Sequence, residues 1–429
     1  MSSYYEASAG LAVPSAPLQG RHEAEVCIIG AGFAGLATAL GLIERGQRDV
    51  TVLEAQQVGF GASGRNGGFV FGGYSLDCAD LLAQLGPQRA RACYGLTRAA
   101  VDLIRRRIRE HAIACDAVEG GALLANWFDD ETILLRQQRL MADHFGVQWQ
   151  LISKDQLDAH VKSDRYFGAL LEPDAFHFHP LKYARGEARA VHTGGGRIFE
   201  QSAVTKLVRE GAGFVVHTAL GSVAARQVVV AGGGYLHGLV PAIERAMLPI
   251  ATYVMVTEPL GTLQRQLIPS PAAIYDTRFA FDYYRALADT RLLWGGRIDV
   301  RDRRPEDIAG FLKRDMLRVY PALAGAKVDF AWSGMMSYAR HKMPQIGRLT
   351  ERDGAGDAAG AWYALGFGGH GVAPTTVAGE VLAAAIAEGA PIPEGFQPYG
   401  LPRTFGPLGL AAAQATYRWF ETKDWFRAL

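Results

Sequence analysis

The first regular pattern along the chain is the run Glu25-Val26-Cys27-Ile28-Ile29. Its apolar, β-branched character suits a strand buried on both faces of a parallel sheet. Gly30-Ala31-Gly32-Phe33-Ala34-Gly35 follows at once, and Leu36 to Arg45 then repeats apolar residues at helical spacing as far as Gly46, a C-terminal cap. Val50-Thr51-Val52-Leu53 is the next strand and ends at Glu54. These segments predict a complete βαβ unit.

From Asp77 to about Glu110 the pattern is helical, with Val101, Leu103, Ile104 and Ile108 as its apolar stripe, and a second helix is expected through Asp130 to Phe145. Arg105, Arg106, Arg107 and Arg109 read as a solvated helix face. Strand character returns in Gly196–Phe199, Gly213–His217 and Gln227–Gly234, and again in Thr252–Val256 and Leu292–Arg297. The last third brings Trp362–Leu365, the run Gly366-Phe367-Gly368-Gly369-His370-Gly371, and an Ala-rich helix from about Thr375 to Ala387. No repeat or low-complexity linker interrupts the alternation, so two interleaved domains are expected rather than two in tandem.

Composition narrows the function classes. Lys plus Arg number 44 and Asp plus Glu 43, a formal charge of +1 that argues against a nucleic-acid binder. The four cysteines form no CxxC pair, which disfavours zinc and iron–sulfur frameworks, so no metal is expected. No apolar run reaches the roughly 18 residues of a membrane span, and no signal segment precedes the first strand. A cytoplasmic location is the expectation. Glycine is in excess, 51 of 429 residues, which points to many close backbone approaches.

The chemistry starts at Gly30-x-Gly32-x-x-Gly35, which has a strand before it, a helix after it and an acid at the end of the second strand. That context makes it a dinucleotide fingerprint: Gly30 for the tight turn, Gly32 for approach of the pyrophosphate, Gly35 for helix–strand packing. The phosphates would sit at the helix N-terminus, and Glu54 would bond a ribose 2′-hydroxyl, which disfavours NADP. The motif alone leaves FAD and NAD open. Val58 to Phe69 then offers Ser63, Arg65 and Asn66 among glycines, donors suited to a second phosphate and an isoalloxazine ring.

With these segments the sequence resembles the D-amino-acid-oxidase-like FAD-dependent oxidoreductase superfamily, of glutathione-reductase-type fold. It is most similar to the branch of γ-glutamylputrescine oxidases and bacterial L-pipecolate oxidases. The resemblance rests on Gly30–Gly35 with Glu54, Gly61–Gly68, Tyr338–Gly347, and Gly366–Gly371 with Pro374-Thr375-Thr376. It implies an α/β fold (α+β in two lobes): a Rossmann-type FAD-binding domain over 23–76, 175–235 and 340–392, interleaved with an antiparallel-sheet substrate domain over 77–174 and 236–339, then a helical tail over 393–429. The tail is expected to dock on the body or on a partner.

The same resemblance implies cofactor contacts from Gly30, Ala31, Gly32, Phe33, Ala34, Gly35, Glu54 and Ala55, then from Ala62, Ser63, Arg65, Asn66, Gly67 and Gly68. Val204, Ala231 and Gly232 would meet the adenosine; Gly347, Gly366, Gly368, Gly369, His370, Gly371 and Thr375 would meet the ring end. Some relatives attach flavin through a Cys or a His where this chain has Met336 and Arg65, so FAD is expected to be non-covalent. Catalytic candidates are His370, Lys342 and Tyr283, with Tyr253, Tyr284 and Arg297 toward substrate. Arg297 would hold either a substrate carboxylate or an internal Asp. The implied reaction is oxidation of an amine or amino acid to an imine, with dioxygen as acceptor. A dehydrogenase passing electrons to quinone, and a flavin-binding relay module, are the alternatives.

Overall fold

The computed structural model describes residues 3–10 and 15–428. Its strands fall into two large sheets and a small one. In the first, Gly20–Ile29 lies at the centre, parallel to Val50–Leu53 on one side and to Gly221–Val230 on the other. Arg197–Phe199 extends it beyond Val50–Leu53, and Trp362–Leu365 pairs in parallel with the end of Gly221–Val230. Val26, Ile28, Val50, Val52, Val228 and Val230 are fully buried. Covered faces explain why these strands read as continuous apolar runs. The helices Phe33–Glu44 and Val372–Glu388 pack on one another over this sheet.

The second sheet is antiparallel except where Ala273–Asp276 runs alongside Ala122–Ala125. The pleat sorts its residues strictly by face. Leu123, Ile274, Tyr284 and Trp294 fall in one cross-strand row and pack with Ile308, Leu312 and Met316 of the helix Pro305–Val319. Leu124, Tyr275, Tyr283 and Gly295 fall in the adjacent row, on the face turned toward the first lobe. One register therefore decides which tyrosines belong to the core and which to the cleft.

The structure departs from the sequence reading in three places. The helix Cys78–Glu110 breaks at Gly86, whose φ of 75° precedes Pro87. Its buried face (Tyr94, Val101, Ile104) belongs to the same core as Leu36 and Leu40, and Tyr94 also packs on Phe145, so this helix joins the cofactor lobe to part of the expected substrate domain. Arg107 is no part of a solvated face. It is fully buried and bonds Glu44 at 2.8 Å and Glu380 at 2.5 Å, tying the helices Phe33–Glu44 and Val372–Glu388 together. The segment before residue 23 is also structural: Ser3 caps the short helix Tyr4–Ser8, and Tyr5 is fully buried. Among the described residues no helix is long and apolar enough to cross a membrane.

Candidate active site

The fingerprint glycines are required by contacts on every side. A Cβ at Gly30, where φ is +108°, would stand 2.8 Å from the Ala231 carbonyl oxygen, and one at Gly35 would overlap the Gly30 carbonyl. Strand and helix thus approach as the motif demands. Glu54 accepts from the Ala31 amide at 2.8 Å and from the Gln56 amide at 2.9 Å, and burial raises its pKa. Ser63 Oγ accepts from the Phe33 amide at 2.8 Å. The amides of Gly32, Ala34 and Gly35 remain in the first turn, where a helix supplies no carbonyl partner of its own. The Ala231 amide donates to Ile29 O, which puts the Ala231-Gly232 turn beside Gly30. Val204 is half-buried just past the strand Arg197–Phe199, and Ala55 is exposed.

The Ala62–Gly68 loop is stitched by Asn66. Its Nδ2 donates to Ala62 O and Ser63 O, and its Oδ1 accepts from the Gly68 amide. Gly68 has φ +78°, and a Cβ there would collide with the Phe178 carbonyl. Arg65 points away from this loop's glycines: its Nε donates to Phe60 O, with weaker contacts to Ser333 O and Glu6. Arg285, missed as a site residue in the sequence, holds the loop from the other lobe. It is buried and donates to Gly67 O at 2.8 Å, Phe178 O at 2.9 Å and the Tyr5 hydroxyl at 3.3 Å. The Tyr5 hydroxyl in turn donates to Asn66 O.

Rings line the space between loop and sheet. The Tyr283 ring lies between Gly67 and Gly295, and a Cβ on Gly67 would come within 2.6 Å of it. Phe281 neighbours Tyr275 at 6.2 Å between ring centres, Tyr275 stacks on Phe71 at 5.6 Å, and Phe71 meets His370 at 4.1 Å. Phe281 is exposed and the other three are half-buried, so the row runs from solvent to His370. His370 Nε2 donates to Gly72 O at 2.9 Å, and burial pulls its pKa down to about 4. Gly368 (φ +60°) and Gly366 (φ +77°) fold the run tightly against Ser75 and Gln345, while Gly369 faces Tyr338 and Met336. Gly371 caps the helix Val372–Glu388, and Thr375 in its first turn donates back to Val372 O.

A family model described as FAD dependent oxidoreductase (DAO) matches residues 25–385. The chain belongs to that family. It is 39% identical to γ-glutamylputrescine oxidoreductase of Escherichia coli over 385 residues, 89% of this chain and 88% of the relative. It is 35% identical to the probable oxidoreductase OrdL of Haemophilus influenzae over 393 residues, 90% and 88% of the two chains. Glycine oxidase from Geobacillus kaustophilus has the same fold, with a TM-score of 0.72 at 22% identity over 89% of this chain and 99% of that one. The enzyme is thus an FAD-dependent oxidoreductase with the Rossmann-type fold of its family. The glycine cradle beside Glu54 is of the shape and polarity such a dinucleotide needs.

Against that fold the predicted substrate residues separate. Of the three tyrosines, only Tyr283 faces the cleft. Tyr284 is buried against Trp294 (4.3 Å between ring centres) and bonds the hydroxyls of Tyr166 and Tyr320. Tyr253 is buried on the same far face and donates to Arg301 O at 2.7 Å. Arg297 takes the internal role: it bonds Asp315 at 2.6 and 2.8 Å, with Glu421 at 3.7 Å. Lys342 is exposed in a turn, its Nζ 6.0 Å from the centre of the Phe279 ring. Gly347 lies in the strand Gln345–Arg348, where a Cβ would press on the Tyr363 hydroxyl. Phe71, Tyr275 and Phe281 escaped the sequence reading. Period-two spacing puts Ala273 and Tyr275 on one face, but only the register identifies that face as the cleft.

Proposed function

We propose that this enzyme oxidises a C–N bond of an amine, or of an imino or amino acid, to an imine, and that dioxygen takes the electrons to give hydrogen peroxide. The substrate class is a γ-glutamylputrescine-like amine or an L-pipecolate-like cyclic secondary amino acid. FAD, when bound, supplies the hydride acceptor at N5. It would be held non-covalently, its pyrophosphate by the amides of Gly32, Ala34 and Gly35 and a ribose hydroxyl by Glu54. Val204, Ala231 and Gly232 would flank the adenosine, and the Ala62–Gly68 and Gly366–Gly371 loops would cover the ring end.

The observation that carries this reading is the ring row from Phe281 to His370 beside the two loops. An aromatic lining strips water from an amine and so favours its neutral form, the form that can give up a hydride. His370 stays neutral at pH 7, with its Nε2 proton committed to Gly72 O. It orients substrate without adding charge. Tyr283, whose hydroxyl burial holds protonated, is available as a donor to the nitrogen or its product. Arg285, the arginine that contacts the cofactor loop, is engaged with carbonyls, and Arg297 and Arg278 are paired with Asp315 and with Asp276 and Asp282. That favours an amine whose reacting carbon bears no carboxylate, and hence the γ-glutamylputrescine-like class. The relative named for that substrate supports the same choice.

The test is an anaerobic visible titration of the holoenzyme with γ-glutamylputrescine, putrescine, L-pipecolate, L-proline and sarcosine. Bleaching of the flavin band by γ-glutamylputrescine, reversed by air, is the expected result. Bleaching that air does not reverse would transfer the assignment to a dehydrogenase. A flavin that stays oxidised with every amine would remove it.

A further inference from the structure

The helix Pro407–Arg427 lies beyond the family-matched segment, yet it is tied to the mouth of the cleft. Asp424 Oδ2 accepts from the Phe279 amide at 2.8 Å and from the Ala280 amide at 3.4 Å. Phe420 stacks on Phe279 with 4.4 Å between ring centres. These contacts grip the crest of the loop that joins Ala273–Asp276 to Tyr283–Ala286. The base of that loop is fixed separately, because Arg278 bonds both Asp276 and Asp282. Between base and crest stands Phe281, 41% exposed and the outermost ring of the row that leads to His370. The rest of the helix is anchored on the same lobe: Gln414 accepts from the Val300 amide, Glu421 approaches Arg297, and Arg427 bonds Asp130.

We infer that the C-terminal helix sets the mouth of the amine cleft, with Asp424 as the positioning residue that fixes Phe281 through the 277–282 loop. The crest has no ladder partner in the sheet, so the two amides bound by Asp424 decide whether Phe281 is presented in one place or in many. A fixed ring grips the methylene tail of an extended amine; a wandering one does not. This inference rests on the amine-oxidising reading and adds the element that selects the tail.

The experiment compares full-length wild type, Asp424→Ala, Asp424→Asn and Phe281→Ala. Hydrogen exchange is read across residues 277–282, and steady-state oxidation is measured with γ-glutamylputrescine and with putrescine. In Asp424→Ala, exchange at Phe279 and Ala280 should rise about tenfold or more, as for loss of a hydrogen bond to a charged acceptor. KM for γ-glutamylputrescine should rise by a similar factor, about tenfold, with kcat nearly unchanged, the pattern of lost uniform binding. Asp424→Asn retains an oxygen acceptor and should restore both readouts. Phe281→Ala should raise KM without changing the exchange. Unchanged exchange in Asp424→Ala, or a fall in kcat at constant KM, would overturn the inference. If wild type oxidises no amine, the functional reading fails and takes the tail selection with it, while the exchange data still report whether Asp424 holds the loop.

Discussion

His177, His179 and His370 are held neutral by their surroundings. Burial, reinforced for His177 and His179 by nearby cations, lowers the first two to about 3 and the third to about 4. Below the ordinary value of about 6.5 the unfolded chain therefore binds protons that the folded chain refuses. Stability should fall as pH drops from about 6.5 toward 4, by roughly 1.4 kcal/mol per pH unit for each such histidine. Thermal melts at pH 7 and pH 5 check this, and His177→Gln should show a smaller drop than wild type. Glu172 works in the opposite sense. Burial beneath Gly72 raises its carboxyl to about 8, so its contribution weakens as pH climbs from about 4.5 through 8. Glu172→Gln should melt higher than wild type at pH 9; an equal or lower melting temperature would count against the buried neutral acid. None of these shifts could be read from the sequence, where a histidine or glutamate carries no mark of its burial.

At the level of elements, the strand Tyr283–Ala286 carries both a cleft ring and the arginine that braces the cofactor loop. Arg285→Met would keep the apolar stem and leave the carbonyls of Gly67 and Phe178 without their buried donor. The expected cost is about 3 kcal/mol or more, from unsatisfied acceptors of about 1–3 kcal/mol each. Flavin should be lost on desalting while wild type retains it, and absorbance at the flavin band measures the difference. The βαβ unit, by contrast, was fully legible: strand, glycines, helix and terminal acid appear in order, because each is dictated by neighbours in the sequence. The helix Val372–Glu388 is longer than the pattern from Thr375 to Ala387 implied, since Gly371 and Gly389 cap it. Arg107 looked like one of four equivalent cations, and only the packing of three helices makes it an internal tie.

Across the whole molecule, the N-terminal helix Tyr4–Ser8, the cofactor loop and the substrate lobe meet at Tyr5. Its ring also packs edge-on against Trp332, whose indole donates to Arg65 O. Tyr5→Ala should destabilise the fold by roughly 3 kcal/mol, as for other large buried aromatic truncations, and should weaken flavin retention along with it. A variant that melts lower but keeps its flavin would show that the contact stabilises the lobe without supporting the loop.

The dinucleotide unit, the glycine-rich loops and the family are readable from residue order alone, because they depend on backbone conformations that only particular residues at short spacing permit. Residue order could not say which of Tyr253, Tyr283 and Tyr284 meets the cleft. A bulge between Thr252 and Tyr253 and the pairing of Tyr283 with Gly295 set that choice. Arg285, Asp424 and the rings of Phe71, Tyr275 and Phe281 gain their roles from partners far along the chain. The tertiary structure decided these because a strand's two faces are equivalent until something packs on one of them.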